Sequence, residues 1–158
     1  MAYLIDGNNL LGRIAPHELR EPGGRDGLVV RLLAFQRVTR ARIHLVFDGS
    51  PEDRPTAVPV NPKFTVHHPG RGGSADDVIR EMLLRQADRR RFFLVTSDRD
   101  LRDLARERGL EALTSDAFAR ELKAALREGR KRRELDKRVD RPTSLEVDLW
   151  DEVFRSKP

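Results

Sequence analysis

The chain has 158 residues, 38% of them apolar and 36% charged, with a net charge of +5 and a pI near 10.2; that is enough for one domain with a sizeable core under a heavily charged surface. It holds no cysteine and four histidines, which excludes disulfides and thiolate metal sites and leaves zinc only His and carboxylate ligands. No apolar run approaches the roughly 18 residues of a membrane-spanning helix, and "MAYLIDGNN" lacks the basic and long apolar regions of a secretory signal, so a soluble cytoplasmic protein is expected, its positive charge admitting nucleic acid as a partner without requiring it.

The first element is a strand, "AYLI" (2–5), which stops on Asp6 and is followed by Gly7, Asn8 and Asn9. "GLVVRLLAFQRVTR" (27–40) is apolar enough for a helix packed on a sheet. "IHLVF" (43–47) is the second strand and runs into Asp48. Residues 49–74 hold five prolines and end in "HHPGRGGS", which reads as a long, loosely structured connection. Within it "KFTVH" (63–67) is a strand near a sheet edge, since prolines flank it.

"ADDVIREMLLRQADR" (75–89) has apolar residues at helical spacing. "FFLVT" (92–96) is a further buried strand, followed by Asp98 and Asp100. The helix "RDLRDLARERG" (99–109) ends at Gly109, a suitable C′ residue. "LEALT" (110–114) is a weaker strand, and "SDAFARELKAALREG" (115–129) is a helix ending at Gly129. From 127 on, "REGRKRRELDKR" carries seven basic and three acidic residues. The rest holds Trp150 and Phe154, which suit an amphipathic segment docked on the domain or on a second subunit.

Short apolar strands without clean alternation are the signature of strands covered on both faces, as in parallel sheets. Alternating strand and helix then predicts an α/β sandwich with right-handed crossovers. In such a sheet the strand C-termini share one edge, where sites form. Asp6, Asp48, Asp98 and Asp100 all follow strands, so three or four carboxylates gather there. Carboxylates that close raise each other's pKa unless a cation sits between them. A hard divalent ion, Mg²⁺ or Mn²⁺, suits oxygen ligands.

Asp76 and Asp77 open a helix after the glycine-rich loop. With Ser74 as N-cap, Asp77 forms an acidic capping box, and Ser97 with Asp100 has the same spacing. Capping leaves Asp76 and Asp98 unexplained. Asp6 alone also fits an Asx-turn, Asn8 and Asn9 also fit turn residues, and Asp48-Gly49 is also a turn signal. As functional groups, Asn8 and Asn9 hold phosphate or a metal-bound water through amide hydrogen bonds. Arg13, Arg71, Arg99 and Arg102 lie in or beside the edge loops, where they could attract a phosphodiester that the acids repel, and each also reads as an ordinary solvated surface residue; Arg130, Lys131, Arg132 and Arg133 lie in the basic tail. His67 and His68, before the acidic helix, could touch phosphate, bind metal or donate a proton, but read first as a strand-end pair exposed to solvent. Without a cysteine or a nucleophile-elbow motif, no covalent nucleophile is argued, and no Walker or dinucleotide fingerprint is present.

"YLIDGNNLL", "VFDGS", "GSADDVIREML" and "LVTSDRDLRDLA", in this order and spacing, resemble the NYN-domain proteins of the PIN-like ribonuclease superfamily, closest to the YacP-like branch. The resemblance covers about residues 1–126, with 127–158 a basic C-terminal extension outside it. It implies a three-layer α/β/α Rossmann-like domain with a central, mainly parallel sheet. It also implies a metal-dependent endoribonuclease in which Asp6, Asp76, Asp77 and Asp98 hold Mg²⁺ or Mn²⁺, with Asn9 and Asp100 completing the catalytic set and Asn8 and Asp48 as additional candidates. The ribosome-linked branch implies messenger RNA on the ribosome as substrate. Two other readings stay open: a non-catalytic RNA- or ribosome-binding module, and a hydrolase of small phosphate esters.

Overall fold

The short apolar runs do become strands, and all of them are parallel. The computed structural model describes residues 1–49 and 58–139. Within these, β1 (Ala2–Asp6), β2 (Arg42–Val46), β3 (Phe64–His67), β4 (Phe92–Val95) and β5 (Glu111–Leu113) form one sheet in the order β3-β2-β1-β4-β5. Every neighbouring pair runs parallel. β3 lies at one edge, as its flanking prolines predict. The order reverses beside β1: the chain builds outward through β2 and β3, then returns to β4 on the other side. The crevice between the C-termini of β1 and β4 is therefore the topological switch point.

The helices are α1 (Gly7–Ile14), α2 (Gly24–Thr39), α3 (Ala75–Arg85), α4 (Arg99–Glu107) and α5 (Ser115–Val139), with a 3₁₀ turn at Pro16–Arg20. Side-chain alternation along the strands divides the core in two. Tyr3, Ile5, Ile43, Leu45 and Phe47 pack with Leu10, Leu28, Leu32, Phe35, Phe118 and Leu122 from α1, α2 and α5. Leu4, Val46, Phe92 and Leu94 pack with Ile79, Leu83, Leu101 and Ala105 from α3 and α4. The result is the expected three-layer α/β/α architecture. Four rings, Tyr3, Phe35, Phe93 and Phe118, fill the centre of the first layer with centroids 5.2 to 5.5 Å apart, a spacing that favours edge-on and offset contacts.

Three elements depart from the sequence reading. "GNNLLGRI" is a helix, although Gly and Asn are poor helix formers. Asp6 caps it, and its first residue must be small: a Cβ on Gly7 would stand 2.6 Å from the Phe47 ring and 2.8 Å from the Val46 carbonyl. α3 stops at Arg85 rather than 89. α5 does not stop at Gly129 but continues to Val139, because the basic run is made of strong helix formers. Gly109 does take the left-handed conformation expected after a helix (φ 76°).

The chain divides into two units, Met1–Leu126 and Arg127–Pro158. Residues 127–139 continue α5. Trp150 and Phe154 lie outside the described residues, as do 50–57, so the proposed docking segment and part of the proline-rich connection do too. Among the described residues no helix is long and apolar enough to cross a membrane.

Candidate active site at the strand ends

Asp6 ends the central strand, only 7% exposed. It shares its sheet face with Leu4, toward α3 and α4. Thr96, fully buried at the end of β4, donates its hydroxyl to Asp6 Oδ2 at 3.0 Å, across the switch point. The Asn9 backbone N–H makes a longer contact, 3.5 Å, to Asp6 Oδ1. Burial pushes the Asp6 carboxyl up to about 6, chiefly by desolvation. The bonds from Thr96 and Asn9 oppose the rise, and the charges of Asp76 and Asp48 add to it. This is a carboxylate held short of its full charge by its surroundings.

The two asparagines tie neighbouring strand ends to β1. Asn8 Oδ1 accepts from the Asp48 backbone N–H at 3.3 Å. Asn9 Oδ1 accepts from the Ser97 N–H at 2.9 Å and the Ser115 hydroxyl at 2.6 Å. One amide thus anchors the end of β2, and the other anchors the β4–α4 turn and the start of α5.

Asp48 accepts from the Ala75 N–H at 2.9 Å through Oδ1, so its carboxylate holds the first turn of α3. Ser74 and Asp77 form the reciprocal capping box: Ser74 N–H donates to Asp77 Oδ2 at 3.1 Å and Asp77 N–H donates to Ser74 Oγ at 3.2 Å. Asp77 is exposed and engaged in this cap. Asp76, one residue earlier and about 100° around the helix, is half-buried. Its pKa is raised by desolvation first, then by the charges of Asp98 and Asp48, with Arg80 opposing.

Asp98, not Ser97, caps α4: its Oδ1 accepts from Leu101 N–H at 3.2 Å, and its own N–H donates to Thr96 Oγ1 at 3.1 Å. The expected Ser97–Asp100 box does not form. Its register is one residue off, because Thr96 and Asn9 hold the turn so that Asp98 takes the cap. Asp100 is exposed in the first turn of α4.

Asp6, Asp48, Asp76 and Asp98 therefore share one electrostatic environment, brought together from the ends of β1, β2 and β4 and the start of α3. As placed, no three His, Asp or Glu side chains among the described residues converge on one point as a finished metal cage. The donor chemistry still suits a hard divalent ion, which takes oxygen ligands and is often held by only one or two carboxylates while keeping several waters. Repulsion among Asp6, Asp76 and Asp98 is what such an ion relieves.

The expected basic residues are dispersed. Arg13 makes an exposed 3.8 Å pair with Asp116; Arg71 and Arg99 are exposed. Arg102 is half-buried, with an Nε that has no partner. Arg130, Lys131, Arg132 and Arg133 are exposed on α5. Sequence reasoning passed over Arg25, a cation buried in α2. Arg25 donates to the Asp48 carbonyl at 2.8 Å and lies 4.7 Å from the centre of the Phe47 ring. Thr96 was also missed. Its signal is a hydroxyl residue ending an apolar strand two positions before an acid.

His67 and His68 are half-buried rather than solvent-exposed. His67 Nε2 meets His44 Nδ1 at 3.2 Å across β2 and β3, and burial lowers the pKa of all three histidines.

A parallel sheet of this order with carboxylates at its switch point defines a Rossmann-like α/β/α domain with an acidic strand-end site. Against known proteins, the YacP-like NYN domain matches residues 3–156, and the chain belongs to that family, a class of nuclease-like, RNA-related domains. The matched span runs past residue 126 into the basic segment. Crystal structures of Rae1 (YacP) from Bacillus subtilis share the fold. One superposes with a TM-score of 0.67 at 20% identity, over 99% of this chain and 91% of that one. A single-substitution mutant gives 0.68 at 20% identity, over 88% and 86%. No curated protein matches the sequence.

Proposed function

We propose that the chain is a metal-dependent endoribonuclease that hydrolyses RNA phosphodiesters at the strand-end acids. The observation that carries this reading is Asp6: a buried carboxylate at the switch point, pushed up to about 6, with Asp76 and Asp48 adding to the rise. A group held this way is poised to bind a cation and tends to mark a functional site.

Asp6, Asp76 and Asp98 would hold Mg²⁺ or Mn²⁺; Asp77 is assigned to the helix cap. When bound, such an ion polarises a phosphate oxygen and makes water a competent nucleophile near neutral pH. Thr96 serves as the positioning residue, fixing Asp6 through its hydroxyl and the Asp98 turn through its oxygen. Asn8 and Asn9 keep the strand-end loops in register, and Asp48 orients α3 so that Asp76 rather than Asp77 turns inward. Asp100 is available to a substrate at the exposed rim. Arg99 and Arg102, at the start of α4, would supply attraction for phosphate that the acids cannot; Arg130, Lys131, Arg132 and Arg133 on α5 are further candidates to hold the RNA backbone. The family resemblance supports messenger RNA on the ribosome, in the cytoplasm, as the setting.

The test is cleavage of end-labelled single-stranded RNA with Mn²⁺, Mg²⁺ or EDTA, beside an Asp6→Asn variant. Cleavage is expected only with metal and only with Asp6 intact. The alternative is a non-catalytic RNA-binding module that uses the same basic residues. RNA binding without cleavage under every metal, on free RNA and on translating ribosomes alike, would establish that alternative instead.

A further inference from the structure

The sheet has a second charged edge, opposite the acids. Each strand start there is fixed by a backbone bond to its neighbour: Ile43 N–H donates to Lys63 O, Arg42 N–H to Met1 O, and Ala2 N–H to Arg91 O. Three of the residues so fixed are basic. Lys63 precedes β3, Arg42 opens β2 and Arg91 precedes β4, so three of four neighbouring strand starts carry a cation, with β1 between the last two and strands about 4.8 Å apart. Arg42, His44, Arg90 and Arg91 border a cavity of about 280 Å³. Arg37, Arg40 and Lys63 border a second groove of about 340 Å³.

Among the described residues none of these six Arg and Lys side chains has a carboxylate partner. The one acid lining either space is Asp88, whose Oδ1 accepts from the Arg90 backbone N–H. The backbone adds a separate observation. The only non-glycine residues at positive φ among those described are Arg40 (59°) and Arg91 (54°). Glycine adopts that conformation without strain. At both positions the chain instead carries a guanidinium, on this edge and nowhere else.

We infer that the strand-start edge is a second RNA-binding face, which grips the phosphate backbone of a structured RNA while the opposite edge holds the bond to be cut. The choice of RNA as the polyanion rests on the function proposed above; the basic face itself does not. Unpaired, exposed guanidiniums in a row fit backbone phosphates, which they bind in bidentate fashion. The two edges lie one strand apart, roughly 13 to 17 Å at about 3.3 Å per residue. A single-stranded segment lying in the acidic site therefore does not reach this face without folding around the sheet, whereas a second, structured part of the substrate does.

Arg40→Gly and Arg91→Gly make the test clean, because glycine suits the left-handed backbone at both positions. The full-length double variant is titrated with a labelled RNA hairpin in EDTA, so that cleavage plays no part, across a series of KCl concentrations. The expected result is a thermal melt no lower than wild type and binding weakened about tenfold per arginine. The slope of log Kd against log salt should fall by about 0.7 to 0.9 for each phosphate no longer neutralised. Metal-dependent cleavage of a short single-stranded RNA by the double variant should match wild type, so loss of cleavage and loss of docking are read separately. Unchanged affinity and slope in the double variant overturn the inference. So does loss of binding only when Arg130, Lys131, Arg132 and Arg133 become Gln. Full displacement of the hairpin by low-millimolar inorganic phosphate would assign the cavity to a small phosphate ester, and equal binding of polyglutamate would assign the face to an acidic protein.

Discussion

Asp6→Asn should stabilise the metal-free protein, and should do so in a pH-dependent way. The folded-state pKa of Asp6 lies near 6, against an ordinary 3.8. As pH rises, the unfolded chain gives up this proton first, so stability falls between about pH 4 and pH 6 and stays low above. At about 1.36 kcal/mol per pH unit, the full penalty is about 3 kcal/mol. Asparagine keeps an oxygen for the Thr96 hydroxyl and remains a good N-cap, so most of that penalty should be recovered, about 1 to 3 kcal/mol at pH 7.5. Urea unfolding in EDTA at pH 4.5, 5.5, 6.5 and 7.5 measures it: the two proteins should diverge as pH rises. Saturating Mg²⁺ should then restore wild type by about 2.7 kcal/mol at 100 times Kd and leave Asp6→Asn where it was. A stability difference that does not change with pH, or equal stabilisation of both proteins by Mg²⁺, would refute the reasoning.

Four further outcomes are expected. Asp77→Ala should lose about 1 kcal/mol through the broken capping box and keep metal-dependent cleavage, whereas Asp76→Asn should abolish cleavage without loss of apo stability; denaturation and RNA cleavage run on the same preparations separate the two. Thr96→Val removes a bond that lowers the Asp6 pKa, so the acidic limb of the cleavage pH profile should move to higher pH, and stability at pH 5 should fall by about 1 to 3 kcal/mol because the Asp98 N–H loses its acceptor. Asn9→Ala leaves the Ser97 N–H and Ser115 hydroxyl without their acceptor and should cost about 2 kcal/mol in chemical denaturation, with slower hydrogen exchange at Ser97 the contrary result. Gly7→Ala drives a methyl against Phe47 and the Val46 carbonyl, and its urea midpoint should correspond to a loss of about 1 to 3 kcal/mol.

The sheet was legible because parallel strands buried on both faces are mainly apolar without clean alternation, and "AYLI", "IHLVF" and "FFLVT" are, His44 and Thr96 aside. The acidic edge was legible for the same reason: once the strands are parallel, whatever follows each of them arrives at one edge. α1 was not legible, because its sequence, Gly-Asn-Asn, is chosen for tertiary contacts that override helix propensity. Gly7 is small to clear Phe47, and the asparagines bond to Asp48, Ser97 and Ser115, each 40 or more residues away in sequence. The same long-range bonds explain why Asn8 and Asn9 looked like turn residues or ligands when read locally. The Ser97–Asp100 box failed on a register that only the Thr96 and Asn9 bonds decide.

The helical identity of the basic run, by contrast, could have been read from its composition. Lys, Arg, Glu and Leu are strong helix formers, and one glycine costs only about 1 kcal/mol, too little to end a helix supported on both sides by such residues. The strand-start arginines escaped notice for a different reason. Arg37, Arg40, Arg42, Lys63, Arg90 and Arg91 are scattered over three connections and look like ordinary solvated charges in each. Only the topology brings them together. The parallel sheet that gathers every strand end into one acidic edge must also gather every strand start into another, so a search of the sequence for what precedes each strand would have found the basic edge by the same argument that found the acids.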